Sequence, residues 1–148
     1  MSTATVHARV TGEALSLDAL AERVVRPSAG AIVTFQGTTR DVERLDYEAY
    51  REMAEQRIEA IVGNAIERHR LEAAAAEHRV GTVPRGEASV IVAVSAAHRA
   101  EAFAGAREII DKIKAEAPIW KKEIIGKAEG GEARWVEGSR AGGDGERA

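Results

Sequence analysis

The stretch from His98 to Glu123 constrains the fold more than any other part of the sequence. Four apolar residues within it recur at spacings of three, four and three, which predicts an amphipathic helix with one apolar face. They are Phe103, Ala106, Ile110 and Ile113. Pro118 lacks the N–H that a continuing helix needs and disfavours helical backbone at Ala117. The helix is therefore predicted to end at Ala117.

Cations lie at both ends of this predicted helix. His98 and Arg99 stand at its start, Lys114 lies in its last turn, and Lys121 follows the proline. A chain that turns back after Pro118 brings Lys114 and Lys121 together. Two converging ammonium groups predict a site for an anion.

Two simpler interpretations of the lysines remain open. A lysine in the last turn of a helix is often only a partner of the helix dipole, worth about 0.3–1 kcal/mol. Residues 121–123 can likewise be a solvated run of charges. Trp120 adjoins them in a chain that is only 4% aromatic, which indicates that the lysines flank something buried.

Another cationic residue follows a strand-length apolar run at residues 30–36. The run ends in a Gly-containing turn that presents Arg40, a common way to place a cation at a site. The alternative is a surface ion pair between Arg40 and Asp41.

Alternation and spacing predict most of the remaining elements. The predicted strands cover residues 4–10, 30–36, 44–50, 78–83, 88–94 and 134–136. Two further helices are predicted, one capped by Ser16 and one running from Met53 to about Arg70. A type I turn at residues 83–86 is expected to join two of these strands in a hairpin. Residues 73–76 have high helix propensity yet lead into a strand, so propensity leaves them undecided.

The order β-α-β-β-α-β-β-α-β predicts the α+β class, with a largely antiparallel sheet in a single domain. That domain is expected to span residues 1–137. Residues 138–148 are Gly-rich and charged without an apolar anchor, which predicts a mobile C-terminal tail.

Composition excludes several classes of function. The net charge of -3 argues against a general nucleic-acid or membrane-surface binder. The chain has no cysteine, so it supplies neither a thiol nucleophile nor a thiolate ligand. No export signal or long apolar span is evident, which makes the cytoplasm the default location. No cofactor is predicted. No metal site is predicted either, and His78 is interpreted as a cross-strand neighbour.

Taken together, these motifs resemble the large, catalytic subunit of molybdopterin synthase. The matching pieces are GAIVTFQGTTRD (30–41), LDYEAYREMA (45–54), EHRVGTVPRGEASVIVAVSAAHRAEAF (77–103), APIWKKE (117–123) and ARWVEG (133–138). The resemblance implies an α/β-hammerhead fold and places residues 73–76 in a strand. It also implies a homodimer within a heterotetramer, in which one small ubiquitin-like sulfur-carrier subunit docks at each end.

The resemblance further implies a sulfurtransferase of molybdenum cofactor biosynthesis. The carrier's C-terminal Gly-Gly thiocarboxylate would give sulfur to cyclic pyranopterin monophosphate and form the dithiolene of molybdopterin. Lys114 and Lys121 match the catalytic lysines of the family. The matching substrate-binding residues are Arg40, His98, Arg99 and Phe35. The pocket would be composite, with His98 and Arg99 supplied by the second protomer.

One departure from the family pattern is the short loop at residues 41–44, which is longer in many relatives. The competing interpretation of the whole chain is a non-enzymatic dimeric adaptor that docks the tail of a ubiquitin-like carrier. An adaptor would keep an apolar groove but would not need the lysines and arginines together.

Overall fold

The computed structural model of the chain describes residues 5–125 and 132–135. Three helices and eight strands lie within these residues. In chain order they are β1 (Val6–Thr11), α1 (Leu17–Arg23), β2 (Ala31–Thr38), β3 (Arg44–Ala49), α2 (Arg51–His69), β4 (Leu71–Arg79), β5 (Gly81–Pro84), β6 (Ala88–Ala96), α3 (Arg99–Glu116), β7 (Ile119–Ile125) and β8 (Glu132–Trp135). The predicted tail at 138–148 lies outside the described residues.

The described strands form two sheets. The first sheet has the order β1-β4-β6-β2 and the second has the order β5-β3-β7-β8. β1 runs parallel to β4, and every other described pair is antiparallel. The predicted α+β class with largely antiparallel pairing is therefore confirmed.

Helices cover both faces of the first sheet. The main core joins α2, α3 and the second sheet to one face. On the opposite face, α1 packs Leu20 and Val24 against Ala73 and Ala75 of β4. Ser16 caps α1 as predicted, because its hydroxyl accepts the backbone N–H of Ala19.

Residues 73–76 form part of β4, as the family resemblance implied. All four alanines are buried, because β4 lies between β1 and β6 and both of its faces are covered. Pairing on both sides and burial on both faces outweigh the helix propensity of alanine, which is a weak local preference.

The predicted hairpin of 78–83 with 88–94 is wrong for its first strand. β6 pairs with β4, while β5 leaves the first sheet and pairs with β3 in the second. The turn also lies one residue later than predicted, since the N–H of Glu87 donates to the carbonyl of Pro84. Gly86 has a φ of 87° at the third position, which a type II turn requires and a type I turn does not.

Helix α3 begins and ends where the sequence predicted, between His98 as N-cap and Ala117 as C-cap. Its buried face differs from the prediction, because Phe103 is 61% exposed. The buried stripe is formed by Ala102, Gly105, Ala106, Ile109, Ile110 and Ile113. Small residues near the start of this stripe bring the helix close to Leu71, whose side chain would meet a Cβ on Gly105 at 2.7 Å.

The segment after α3 is a full strand, β7, which the sequence analysis did not predict as one. It pairs with β3 on one side and with β8 on the other. β7 follows Pro118 directly and is one of the two central strands of the second sheet. β8 covers residues 132–135, close to the predicted strand at 134–136.

Replacing Gly63 by Ala is expected to stabilise the fold. Gly63 lies inside α2, and a Cβ added there would meet only Val6 Cγ2, at an ordinary 4.0 Å. Alanine removes backbone freedom from the unfolded chain, worth about 1 kcal/mol. We expect thermal unfolding to show a melting temperature raised by roughly 2–4 °C.

Gly81→Ala is the matched control for Gly63→Ala. Gly81 also has room for a Cβ, but its φ is 85°, where an L side chain is strained. We expect this variant to melt at a lower temperature than the wild type. A Gly63→Ala protein no more stable than the wild type would contradict the prediction.

Candidate functional site

The candidate site lies where the end of α3 meets β7. Lys114 is in the last turn of α3, the helix stops at Ala117, and β7 carries Lys121. Both lysines are half-buried. Both of their positive charges contribute to lowering the pKa of His78.

His78 lies on β4 and is only 2% exposed. Its Nδ1 lies 2.7 Å from the carbonyl oxygen of Arg79. Because a carbonyl can only accept, Nδ1 carries the proton and Nε2 is left as an acceptor. Burial chiefly, and the charges of Lys114 and Lys121 in addition, lower the pKa of His78 to about 4 against the raising effect of the Arg79 hydrogen bond. The ring is therefore uncharged at neutral pH.

Tyr47 connects the second sheet to this histidine. Its ring meets the ring of His78 edge to face, with centroids 4.9 Å apart and an interplanar angle of 75°. Tyr47 is directly opposite Lys121 in the pairing of β3 with β7. Burial raises the pKa of Tyr47 above its usual value, and a hydrogen bond with Ser89 offsets part of that rise. The phenol therefore stays protonated beside the lysines.

Phe35 lies on the same face of the first sheet as His78. Gly37 and His78 both pair with Val90 of β6, and Phe35 is two residues before Gly37 on β2. Phe35 is half-buried against the main core. A Cβ on Gly37 would lie 2.9 Å from Val90 Cγ1 and 3.4 Å from Phe35 Cε2, so only glycine fits between them without displacement.

Arg40 lies in the loop between β2 and β3. Its guanidinium is 69% exposed and is 2.7 Å from the carboxylate of Asp41. This is the surface ion pair that the sequence analysis held as the alternative for Arg40. Backbone hydrogen bonds attach the loop to the β5–β6 turn, because Thr39 bonds to both Glu87 and Gly86. The loop is held, while the guanidinium is open to solvent.

His98 and Arg99 lie at the opposite end of α3 from Lys114, and both are exposed. Arg99 and Lys114 are separated by 15 positions of one continuous helix. At about 1.5 Å per residue, this places their backbones roughly 22 Å apart. Within one chain, His98 and Arg99 therefore lie far from Lys114.

Trp120 does not mark a buried position. It is 36% exposed, and its ring lies edge to face against Tyr50 at a centroid distance of 5.4 Å. The buried neighbour of the lysines is Ile119, which alternates with Trp120 along β7. The inference that the lysines flank something buried holds for Ile119 and is wrong for Trp120 itself.

Sequence reasoning missed Tyr47 and His78 as members of the site. Tyr47 was recognised only as part of the predicted strand at 44–50, and His78 only as a cross-strand neighbour. The available signal was a histidine at the end of an apolar strand, inside a piece that carries the family resemblance. Its approach to Tyr47 depends on the packing of two sheets, which no local pattern encodes.

The arrangement suits anion chemistry. Lys121 lies opposite Tyr47 in the second sheet, and the ring of Tyr47 packs against the uncharged ring of His78. Lys114 lies in the last turn of α3, shortly before β7. Preorganised cations in a partly dehydrated site stabilise negative charge as it develops on oxygen. Within the described part of the chain, no group of three or more His, Asp or Glu residues could hold a metal ion. Among the described helices, none is long and apolar enough to cross a membrane.

Comparison with known proteins gives consistent matches. A family profile described as "MoaE protein" matches residues 10–116. The molybdopterin synthase catalytic subunit of Oryza sativa subsp. indica is 53% identical over 108 residues, which cover 69% of this chain and 56% of that protein. The protein of the same name from Thermoplasma volcanium is 47% identical over 122 residues, covering 78% of this chain and 87% of that protein.

The fold also matches solved structures. The crystal structure of molybdopterin synthase from Staphylococcus aureus superposes with a TM-score of 0.78 at 28% sequence identity. The superposition covers 91% of this chain and 98% of that chain. Against the rice relative, by contrast, the matched part is little more than half of the relative's length.

Proposed function

The chain belongs to the MoaE protein family, and from that premise we propose that it is the catalytic subunit of a molybdopterin synthase. In this proposal it transfers sulfur from the C-terminal thiocarboxylate of a small ubiquitin-like carrier to cyclic pyranopterin monophosphate. The product is the dithiolene of molybdopterin. The observation that carries the proposal is the placement of Lys121 opposite Tyr47, whose ring packs against the buried His78, with Lys114 in the last helical turn before the strand of Lys121.

The sulfur must arrive on a partner, because the chain contains no cysteine. A thiocarboxylate carrier meets this need, since its terminal sulfur is already anionic and nucleophilic. The sulfur forms a bond to a carbon of the precursor while the bond from that carbon to its oxygen breaks. Water then attacks the carrier's carbonyl carbon, the C–S bond breaks, the sulfur stays on the pterin and the carrier leaves with a carboxylate. Both steps place negative charge on oxygen, and both benefit from a nearby ammonium group.

Lys114 and Lys121 are the proposed catalytic residues. Their ammonium groups would stabilise the developing oxyanion, and either could protonate a leaving oxygen. Arg40 would bind the precursor's phosphate once the guanidinium exchanges Asp41 for a phosphate oxygen, a stronger bidentate partner. Phe35 would offer the pterin an apolar wall.

We further propose that a homodimer lies at the centre of a heterotetramer in the cytoplasm, with each site composed from two protomers. His98 and Arg99 cannot reach a small substrate held at Lys114 within one chain, given roughly 22 Å along the helix. A two-fold axis that pairs one helix start with another helix end would complete the site. The relatives are named catalytic subunits, which is consistent with a further subunit.

The protein alone is expected to be inert towards the precursor. Incubated with thiocarboxylated carrier and cyclic pyranopterin monophosphate, it should give molybdopterin, which mass spectrometry detects by the mass change of two oxygens replaced by two sulfurs. The matched control is the same carrier ending in an ordinary carboxylate, which should give no product.

A second control replaces the carrier by inorganic sulfide. Dithiolene formed from sulfide at a rate near that of the complete system would contradict the proposed donor. Carrier binding without any product from the complete system would favour the non-enzymatic adaptor.

A further inference from the structure

One flank of α3 is not covered by a helix within the described residues. The opposite flank is bonded to α2, because the carboxylate of Glu108 accepts from Arg68 and lies 2.7 Å from Nε2 of His69. Phe103 lies roughly 140° away from Glu108 around the helix, at about 100° per residue. Its side chain is 61% exposed, and α1 lies on the other face of the first sheet.

The same flank lies above an open edge of the first sheet. α2 packs mainly on β1 and β4, whereas α3 packs mainly on β6 and β2. The strand order β1-β4-β6-β2 leaves β2 at the edge, and among the described strands β2 pairs with β6 alone. β2 is eight residues long and carries Ile32, Val33 and Phe35. Native proteins seldom leave a long apolar edge strand uncovered, so the flank and the edge together indicate a surface that a partner covers.

The residues along this flank have a spacing that suits pairing with a second copy of the chain. Arg99, Phe103, Ile110 and Lys114 follow one another at intervals of four, seven and four, so they lie on one side of α3. These intervals are the same in both directions. A two-fold axis between positions 106 and 107 would therefore place Phe103 opposite Ile110 of the second copy. The same axis would place Arg99 opposite Lys114 of the second copy, as an isologous interface requires.

The spacings of sheets and helices agree with this pairing. If β2 of one copy lies beside β2 of the other, the two strands are about 4.8 Å apart. Two helices that each lie above the space between β6 and β2 are then two strand spacings apart. This distance is roughly 10 Å, within the range at which helices pack. Ile110 is 8% exposed at the border of the core and offers Phe103 an apolar contact.

We propose that two copies of this chain join along this surface, with β2 beside β2, α3 antiparallel to α3, and Phe103 as the apolar anchor. The inference rests on the proposed function and deepens it, because it assigns the surface that makes each site composite. Arg99 of one copy then lies beside Lys114 of the other. These two cations repel each other unless an anion lies between them, and the phosphate of the proposed substrate is such an anion.

Phe103→Asp is expected to separate the two copies while each stays folded. A carboxylate has no partner at an apolar contact, so the dissociation constant of the dimer should rise at least about 100-fold in analytical ultracentrifugation. Met53→Asp is the matched control, because Met53 is exposed to a similar extent, 58%, on α2. The control should leave the dissociation constant unchanged. A Phe103→Asp dimer as tight as the wild type, or an equal loss in Met53→Asp, would overturn the proposal.

Cross-linking tests the register without changing Phe103. The chain has no cysteine, so a single engineered cysteine reports its own position. Arg107→Cys lies beside the proposed axis, and a short bismaleimide should join it to its counterpart. Asp111→Cys should not be joined, because it lies opposite position 102 of the second copy, nine residues and roughly 13 Å from its own counterpart. Arg107 and Asp111 are both exposed, which makes their reactivities comparable.

Cross-linking of Asp111→Cys alone, or of neither variant, would overturn the proposed axis. Neither measurement needs substrate or carrier, so failure of the interface is distinguishable from failure of the proposed function. A cross-linked dimer that makes no product would contradict the function and support the interface. Product formed by a protein that cross-links at neither position would contradict the interface and support the function.

Discussion

Lys114→Ala is expected to abolish conversion of the precursor while the protein stays folded. A single donor to a developing oxyanion is typically worth about 10²–10³ in rate, so we expect at least a 100-fold loss. Stability should change little, because a lysine in the last turn of a helix contributes only about 0.3–1 kcal/mol through the dipole.

Lys112→Ala is the matched control on the same helix. Lys112 is exposed and pairs with Glu116 across one turn at 3.7 Å, away from His78. The Lys112→Ala variant should melt near the wild-type temperature and keep near-normal activity. Product formation and melting are to be measured on the same preparation of each variant. Near-normal conversion by Lys114→Ala would refute the catalytic role, and an equal loss in Lys112→Ala would show that the effect is not specific to the site.

The parts of the fold that were predictable have local causes. Helix α3 ends where Pro118 removes an N–H, and α1 begins where Ser16 supplies a cap. These signals are contained within a few residues. They identified the end of the helix that carries Lys114 before any tertiary contact was known.

The second sheet was not predictable in this way. β5 follows β4 after a single residue, yet it pairs with β3 and leaves β4 to pair with β6. That choice depends on the position of Gly81, whose φ of 85° redirects the chain, and on the arrival of β7 from a distant part of the sequence. A period-two pattern identifies a strand but does not name its partner.

The same limit explains the site residues that were missed. Lys114 and Lys121 are close in sequence, so a local turn was enough to connect them. His78 and Tyr47 come from different sheets, and their contact follows from how the sheets pack. The error for Phe103 is the opposite one, because a residue predicted to lie on the packed face is exposed. Its spacing fits a helical face, but the face that packs is formed by the small residues Ala102 and Gly105.

For Arg40 the alternative interpretation, a surface ion pair with Asp41, is correct. This ion pair is compatible with the proposed role of Arg40 in binding the phosphate. The ion pair with Asp41 is exposed on both sides, and such pairs are worth about 0–1 kcal/mol. A phosphate can therefore replace the carboxylate at little cost. The guanidinium is open to solvent, where the phosphate of the proposed substrate would reach it.

The largest recovery of activity is expected from mixing two inactive variants. Lys114→Ala and Arg99→Ala should each be inactive alone if every site takes its lysine from one protomer and its arginine from the other. The continuous helix from Arg99 to Glu116 makes this arrangement necessary for a small substrate, because one chain holds the two residues roughly 22 Å apart.

Unfolding and refolding the two variants together forms mixed dimers. In a mixed dimer one site inherits both substitutions and the other inherits neither. Random pairing makes about half of the dimers mixed, so about a quarter of the wild-type activity should return under two-fold symmetry. Lys114→Ala mixed with Lys121→Ala is the matched control, since both lysines belong to the same half of a site and no mixed dimer regains an intact one. If native mass spectrometry confirms exchange and the first mixture stays inactive, the site is not shared between protomers.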